Sequence, residues 1–257
     1  MSFCFEMHSD IGIRKETNQD SICVKEAQTD QGNILLAIIC DGMGGLEKGE
    51  VASCTIISAF SNWFERKLPY LLAKVNTNDE IVYSWERLIK EQNQAIAEYG
   101  RNHQIQLGST ITVMLFLYDK TYLIGHVGDS RAYKITENSI DILTEDQTLV
   151  AREVKMGRLT PEEAERDPRR NVLLQCIGAS KIVEPAFYKG IYDEEECYML
   201  CSDGFRHLLT LEEIKSSFAP SNNSDENEIK DNIIRLIELN KKRQETDNIS
   251  SIVIKVN

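Results

Sequence analysis

The sequence predicts a domain that contains both α-helices and β-strands, and three observations support this. Residues 34–40 form an unbroken apolar run rich in isoleucine, which is typical of a strand buried on both faces. Apolar residues recur at helical spacing over about 48–66 and again over 79–102, which predicts two amphipathic helices. Two apolar segments, 108–118 and 121–129, are separated by a short turn and predict a β-hairpin.

Shorter elements complete the prediction. Strands are also expected at 3–9, 21–25, 132–135, 197–202 and 250–256. Thr160 and Thr210 each precede a glutamate by three residues, so each is predicted to cap a helix, and another helix is predicted from Ile229. Tyr99 is expected to face the core from the second long helix. The polar stretch at about 147–182 lacks strand periodicity and is predicted to project from the core as an insertion.

Composition and charge exclude several classes of protein. The 257 residues contain no internal repeat and no linker, so a single domain over residues 1–257 is expected. The net charge of -12 argues against a nucleic-acid partner. No apolar run reaches the ~20 residues of a membrane helix, and the first residues do not resemble a signal peptide. Seven cysteines without a Cys-x-x-Cys pair do not resemble a disulfide framework, so a reduced, cytoplasmic protein is expected.

Aspartates stand beside several of the predicted strand ends. They are Asp41, Asp129, Asp203 and Asp247, and Asp20 lies just before another strand. Any one of them alone is more commonly a turn residue or a helix cap. Together they would repel one another unless a cation neutralised them, and oxygen-only ligands favour Mg²⁺ or Mn²⁺ over Zn²⁺. The four histidines show no metal-ligand spacing, which argues against a zinc site.

Around these aspartates the sequence resembles the metal-dependent serine/threonine protein phosphatases of type 2C, and their bacterial-type members in particular. The motifs occur in the family's order and span nearly the whole chain. They are Gly12-Ile13-Arg14 with Asn18-Gln19-Asp20, Asp41-Gly42-Met43-Gly44-Gly45, Gly108-Ser109-Thr110, Val127-Gly128-Asp129-Ser130-Arg131, Leu143-Thr144-Glu145-Asp146, Ser202-Asp203-Gly204 and Thr246-Asp247-Asn248. The resemblance implies an α+β fold, a four-layer α-β-β-α sandwich of two antiparallel sheets flanked by helices, with the insertion at 147–182 as a mobile flap.

The resemblance also implies a site for two Mn²⁺ or Mg²⁺ ions. Asp41 would bridge the two ions, and the carbonyl oxygen of Gly42 would bind one of them. Asp203 and Asp247 would hold the other ion. Asp20 would contact the pair directly or through water.

Further roles are implied in the same way. Asp129 with Asp203 would form a third metal site, as in bacterial-type members. Arg14 would bind the substrate phosphate with its guanidinium group, and Arg14 and Asp20 would be the catalytic residues. A water shared by two ions about 3.5–4 Å apart would attack the phosphorus of phosphoserine or phosphothreonine in a protein, without a phosphoenzyme. The implied partners are a phosphorylated protein substrate and a cognate serine/threonine kinase, and a monomer is expected.

Two positions depart from the family pattern. Met43 stands where animal members have a histidine that is proposed as the general acid, and methionine cannot donate a proton. We therefore expect a metal-bound water to protonate the leaving group, and neither His126 nor His207 to do so. Gln19 replaces a glutamate that is frequent in the family, which removes one charge near the metals and would weaken their binding.

Two alternatives to a protein phosphatase are compatible with the fold. A pseudophosphatase would use the fold as a binding or regulatory module, but the loss of metal-binding aspartates would be its signature, and all are present. A phosphatase for small phosphorylated molecules would carry the same motifs. Hydrolysis of a phosphothreonine peptide and of sugar phosphates, with and without Mn²⁺, would separate the three functions.

Overall fold

The computed structural model describes residues 1–43, 48–74 and 76–257. Gly44 and Gly45 of the first aspartate motif lie outside the described residues. The strands are β1 (Phe3–Asp10), β2 (Asp20–Thr29), β3 (Gly32–Asp41), β4 (Ile111–Phe116), β5 (Thr121–Val127), β6 (Arg131–Ile135), β7 (Ile140–Ile142), β8 (Ala186–Ile191), β9 (Cys197–Cys201) and β10 (Ile249–Val256). The helices are α1 (Gly49–Arg66), α2 (Leu68–Leu72), α3 (Thr77–His103), α4 (Leu149–Lys155), α5 (Pro161–Arg166), α6 (Asp203–Arg206), α7 (Leu211–Phe218) and α8 (Glu226–Lys242).

The strands form two antiparallel sheets of five strands each. The order of the first sheet is β1-β10-β9-β6-β7, and the order of the second is β2-β3-β4-β5-β8. Every pairing within the two sheets is antiparallel. β10 therefore lies between β9, the strand that precedes it in the sequence, and β1 from the other end of the chain.

Strand β3 shows how the layers stack. All residues of its apolar run are buried, at most 3% exposed, which confirms a strand covered on both faces. Leu36 and Ile38 pack in one cluster with residues of α1 and α3. Leu35 and Ile39 pack in another cluster, which fills the space between the two sheets. Successive residues point to opposite faces because the side-chain period of a strand is two.

The outer face of the first sheet is covered in the same way. Phe218 of α7 and Ile233 of α8 pack with Met199 and Val253 of that sheet. Helices therefore flank both sheets, and the predicted α+β sandwich of four layers is confirmed. The predicted helix caps at Thr160 and Thr210 are also confirmed, because each makes both hydrogen bonds of a capping box.

Some details differ from the sequence prediction. The strands β7 and β8 and the helix α2 have no counterpart in it. β8 is an edge strand whose residues are half-buried or exposed, so its sequence carries no apolar alternation. Tyr99 was expected in the core, and this was wrong: its side chain is 38% exposed and stacks on the ring of His103.

The turns at one edge of the sandwich bring distant parts of the chain together. In the second sheet, β2 begins and β3 ends at this edge. In the first sheet, β6 and β10 begin there and β9 ends there, because neighbouring strands run in opposite directions. Between β7 and β8 the described chain contains α4 and α5 and is otherwise irregular. In the ranges that the structure describes, no helix combines the length and the apolar character that a membrane crossing requires.

Candidate active site

Asp20 and Asp41 lie opposite each other in the second sheet, because β2 begins where β3 ends. Asp20 is buried, and the hydroxyl of Ser250 donates a hydrogen bond of 2.6 Å to its Oδ2. The N–H of Asp41 donates to Thr110 Oγ1 at 3.0 Å, and its carbonyl oxygen accepts from Thr110 N–H at 2.9 Å. These bonds fix the backbone of Asp41 and do not involve its carboxylate.

The other three aspartates come from the first sheet. Asp203 follows β9 and begins α6, Asp129 lies just before β6, and Asp247 lies just before β10. Asp129 and Asp203 are buried and Asp247 is half-buried. Asp247 Oδ1 accepts hydrogen bonds from the N–H of Asn248 at 2.8 Å and from Lys15 Nζ at 2.7 Å.

These five residues form the aspartate cluster, in which burial and neighbouring carboxylates raise the pKa of Asp20, Asp41 and Asp129. Burial raises the pKa of Asp20 to about 7, and the charges of Asp203 and Asp247 add to the effect. Burial, followed by repulsion from Asp203, raises the pKa of Asp129 to about 8. Burial also raises the pKa of Asp41 well above its ordinary value, and each of the other four aspartates raises it further. Asp41 therefore lies at the centre of the cluster.

Two oxygen atoms of the aspartate cluster, Asp20 Oδ1 and Asp203 Oδ1, are buried and find no hydrogen-bond partner among the residues that the structure describes. Buried carboxylate oxygens are costly unless a donor or a cation meets them. A donor set made only of oxygen atoms suits Mn²⁺ or Mg²⁺. Among residues 1–43, 48–74 and 76–257, no three His, Cys, Asp or Glu side chains are grouped so that they could hold a metal ion. The aspartates are close enough to shift one another's pKa, and ions of this kind complete their coordination with several waters.

Gly42 lies next to Asp41 in a position with no room for a side chain. A Cβ atom there would lie 2.5 Å from the carbonyl oxygens of both Gln19 and Gly49. The N–H of Gly42 also donates to the Gln19 carbonyl oxygen at 3.1 Å. The end of β3 is thereby joined to the loop before β2 and to the start of α1.

The chain has relatives with the same fold and motifs. A family model described as "Protein phosphatase 2C" matches residues 12–238. The chain belongs to this family. Protein phosphatase PhpP of Streptococcus pneumoniae is 28% identical over 208 residues, which are 80% of each chain. The crystal structure of the serine/threonine phosphatase Stp1 from Staphylococcus aureus has a TM-score of 0.84 and 27% identity, over 100% of this chain and 96% of that chain. The catalytic domain of the serine threonine protein phosphatase PstP, solved in complex with 2 manganese ions, has a TM-score of 0.78 and 26% identity, over 99% of each chain.

In this 2C phosphatase, Arg14 lies on the loop between β1 and β2 and is exposed. Within the described part of the chain its side chain makes no hydrogen bond or ion pair, so the structure does not place it in contact with the aspartate cluster. The next residue, Lys15, does contact the cluster through Asp247.

Sequence reasoning missed two residues that hold this loop in place. Asn248 Nδ2 donates to the carbonyl oxygens of Ile11 at 3.0 Å and Thr17 at 3.3 Å, and its Oδ1 accepts from the N–H of Gln19 at 2.9 Å. Lys15 is the second residue, and its only signal in the sequence is its place beside Arg14. Asn248 was visible as part of a motif, but its contacts span almost the whole chain.

Two histidines, His126 and His207, were considered as proton donors to a leaving group. His126 is fully buried in β5, with Nδ1 at 2.9 Å from Thr112 Oγ1, and burial lowers its pKa to about 4. His207 lies beside the cluster, with Nε2 at 3.6 Å from Asp203 Oδ2, which is too long for a hydrogen bond. The expectation that a metal-bound water protonates the leaving group, because Met43 cannot, therefore stays a prediction.

A half-buried charged network contacts the backbone of Asp129. The guanidinium of Arg131 donates two hydrogen bonds to the Asp146 carboxylate, at 2.7 and 2.8 Å. Arg206 Nη2 donates to Asp146 Oδ2 and to the carbonyl oxygen of Asp129, both at 3.1 Å. The network links the start of the insertion to the aspartate cluster, and the charge of Arg206 opposes the rise in the pKa of Asp129.

Proposed function

We propose that the aspartate cluster is the active site of this serine/threonine protein phosphatase and that it holds Mn²⁺ or Mg²⁺. The observation that carries the proposal is the pair of buried oxygens Asp20 Oδ1 and Asp203 Oδ1, for which the described part of the chain offers no hydrogen-bond partner. They lie in a cluster where burial and neighbouring carboxylates raise the pKa of Asp20 and Asp41. Such a cluster is stable in its ionised form only beside cations. The manganese complex of the related PstP catalytic domain supports the same assignment.

Each metal-binding residue has a separate role in this proposal. Asp41 would hold both ions, and the Gly42 carbonyl oxygen would hold one of them. Asp203 and Asp247 would hold the other ion, and Asp20 would contact the pair directly or through water. The mutual effects on pKa support this arrangement, because Asp41 is the residue on which all the others act.

Asp129 and Asp203 form a third metal site in the same proposal. Its support is the repulsion from Asp203 that raises the pKa of Asp129. The Arg206 guanidinium donates a hydrogen bond of 3.1 Å to the carbonyl oxygen of Asp129, and its positive charge offsets part of the negative charge of Asp129 and Asp203. We therefore expect the third ion to bind more weakly than the first two.

The divalent ions, Arg14 and Asp20 have different roles in hydrolysis of the phosphate ester. When bound, the divalent ions supply a water that is deprotonated near neutral pH, and they neutralise charge on the phosphate. Arg14 binds two phosphate oxygens through its guanidinium and orients the phosphorus for in-line attack. The Ser250 hydroxyl holds Asp20 Oδ2 and so fixes the direction in which Oδ1 points.

Hydrolysis without a phosphoenzyme also fits the state of two buried cysteines near the cluster. Burial raises the pKa of Cys40 well above its ordinary value, and it raises that of Cys201 to about 12. Neither thiol is ionised near neutral pH, and only a thiolate is an effective nucleophile.

We further propose that residues 147–182 act as a flap over the site in a monomeric, single-domain, cytoplasmic enzyme that opposes a serine/threonine kinase. The hydrogen bonds from Arg206 to Asp146 and to the backbone of Asp129 support the flap, because they connect the residue that precedes it to the cluster. The other parts of this proposal are supported by the resemblance to serine/threonine phosphatases such as PhpP.

The test is phosphate release from a phosphothreonine peptide with Mn²⁺ and with EDTA, compared with sugar phosphates. We expect Mn²⁺-dependent release from the peptide, and a loss of more than about 100-fold in kcat/KM for Asp41→Asn and Asp203→Asn. Asp193→Asn is the matched control, because Asp193 has a side chain that is 70% exposed and pairs with Lys120. Full activity in EDTA, or in either cluster variant, would overturn the proposal. Release of phosphate from sugar phosphates but not from the peptide would contradict a protein substrate.

A further inference from the structure

Lys15 brings a positive charge to the edge of the aspartate cluster. Its Nζ lies 2.7 Å from Asp247 Oδ1, and the two side chains are 27% and 32% exposed. The Asp247 carboxylate at this distance favours the ammonium form of Lys15, and the negative charges of Asp41 and Asp203 act in the same direction.

The position of Lys15 is built into the fold. The loop that carries it is held by the two hydrogen bonds from Asn248 to the carbonyl oxygens of Ile11 and Thr17. Gly12 has a φ of +78°, and a Cβ atom there would lie 2.3 Å from the carbonyl oxygen of Asp247. The backbone on both sides of Lys15 is thus packed directly against the segment that carries Asp247.

The contact uses an oxygen that a metal ion would need. Asp247 Oδ1 already accepts hydrogen bonds from Lys15 and from the N–H of Asn248. A divalent ion that binds this oxygen has to displace the ammonium group, and an ion that binds the other oxygen lies close to a like charge. Both situations weaken metal binding, because charges of the same sign repel.

We propose that Lys15 is an internal cation that competes with the divalent metal for Asp247 and so sets the metal affinity of the site. This role rests on the metal site proposed above. Lys15 neutralises part of the cluster's negative charge, so the carboxylates stay together without a full complement of metal. Because the lysine is tethered, its competition does not depend on the concentration of any other molecule.

The experiment is titration calorimetry of the full chain with Mn²⁺, together with thermal unfolding in EDTA. We expect Lys15→Gln to bind Mn²⁺ about tenfold more tightly than the wild type, and to unfold at a lower temperature in EDTA. Lys15→Arg keeps the charge and should keep the Mn²⁺ affinity within about twofold. Lys120→Gln is the matched control, because Lys120 Nζ pairs with Asp193 Oδ1 at 2.8 Å outside the cluster.

An unchanged Mn²⁺ affinity in Lys15→Gln would overturn the competition. A weaker affinity would overturn it too, because Lys15 would then orient Asp247 for the metal. Asp203→Asn separates this inference from the proposed function. If Asp203→Asn binds Mn²⁺ with wild-type affinity, the proposed metal site is wrong. If Asp203→Asn binds Mn²⁺ more weakly but Lys15→Gln keeps wild-type affinity, the metal site is supported and the role of Lys15 is wrong.

Discussion

His126 makes the stability of the protein depend on pH below neutrality. Its ring is fully buried, its Nε2 has no partner, and burial lowers its pKa to about 4 although the charge of Asp146 acts in the opposite direction. A histidine in the unfolded chain has a pKa of about 6.5. Between these two values the unfolded chain binds a proton that the folded protein does not, so the free energy of unfolding falls as the pH falls. One pKa unit corresponds to about 1.4 kcal/mol, so His126 alone removes about 2 kcal/mol between pH 7.5 and pH 5.0.

The assay is urea unfolding of the wild type and of His126→Gln at both pH values. Glutamine does not titrate, so the difference between the two proteins cancels the contributions of the aspartate cluster, whose raised pKa values act with the opposite sign. His126→Gln should be less stable at pH 7.5, yet it should lose about 2 kcal/mol less than the wild type on acidification. His103→Gln is the control, because His103 is exposed. Parallel curves for His126→Gln and the wild type would refute the reasoning.

Three further changes have defined outcomes. Gly42→Ala places a methyl group 2.5 Å from two carbonyl oxygens, and it should lower the free energy of unfolding by about 2 kcal/mol in urea; an unchanged midpoint would contradict the packing at this position. Asp146→Asn leaves Arg131 and Arg206 without their shared carboxylate. This should lower the free energy of unfolding in urea by about 3–5 kcal/mol, and a loss below about 1 kcal/mol would show that the network does not stabilise the fold. Asn248→Ala removes three hydrogen bonds that hold the loop of Arg14, and it should lower the free energy of unfolding by about 2–3 kcal/mol in urea. An unchanged midpoint would show that these bonds do not stabilise the fold.

Sequence alone predicts the elements whose local pattern matches their environment. The apolar run at 34–40 is buried on both faces, and the capping boxes at Thr160 and Thr210 begin helices, because each signal is contained within a few residues. The aspartates gather because strand ends meet at one edge of antiparallel sheets, a consequence of topology that the resemblance supplied. β8 could not be predicted, since an edge strand needs no apolar alternation.

The contacts that shape the candidate site were beyond sequence reasoning for a different reason. Lys15 meets Asp247, and Arg206 meets Asp146, across long stretches of chain. No periodicity or motif encodes such a pairing, because a lysine or arginine on its own is most often a solvated surface residue. Only the register of the two sheets determines which charged side chains become neighbours.

The position of β10 between β1 and β9 in the first sheet has a consequence for synthesis of the protein. β1 and β9 both pair with β10, so neither completes its hydrogen bonds until residues 249–256 have left the ribosome. Until then two strands present unpaired backbone groups, which favour association with other chains. The segment with Asp247 arrives at the same time, so a nascent chain cannot hydrolyse phosphoproteins by the proposed route before the sandwich closes.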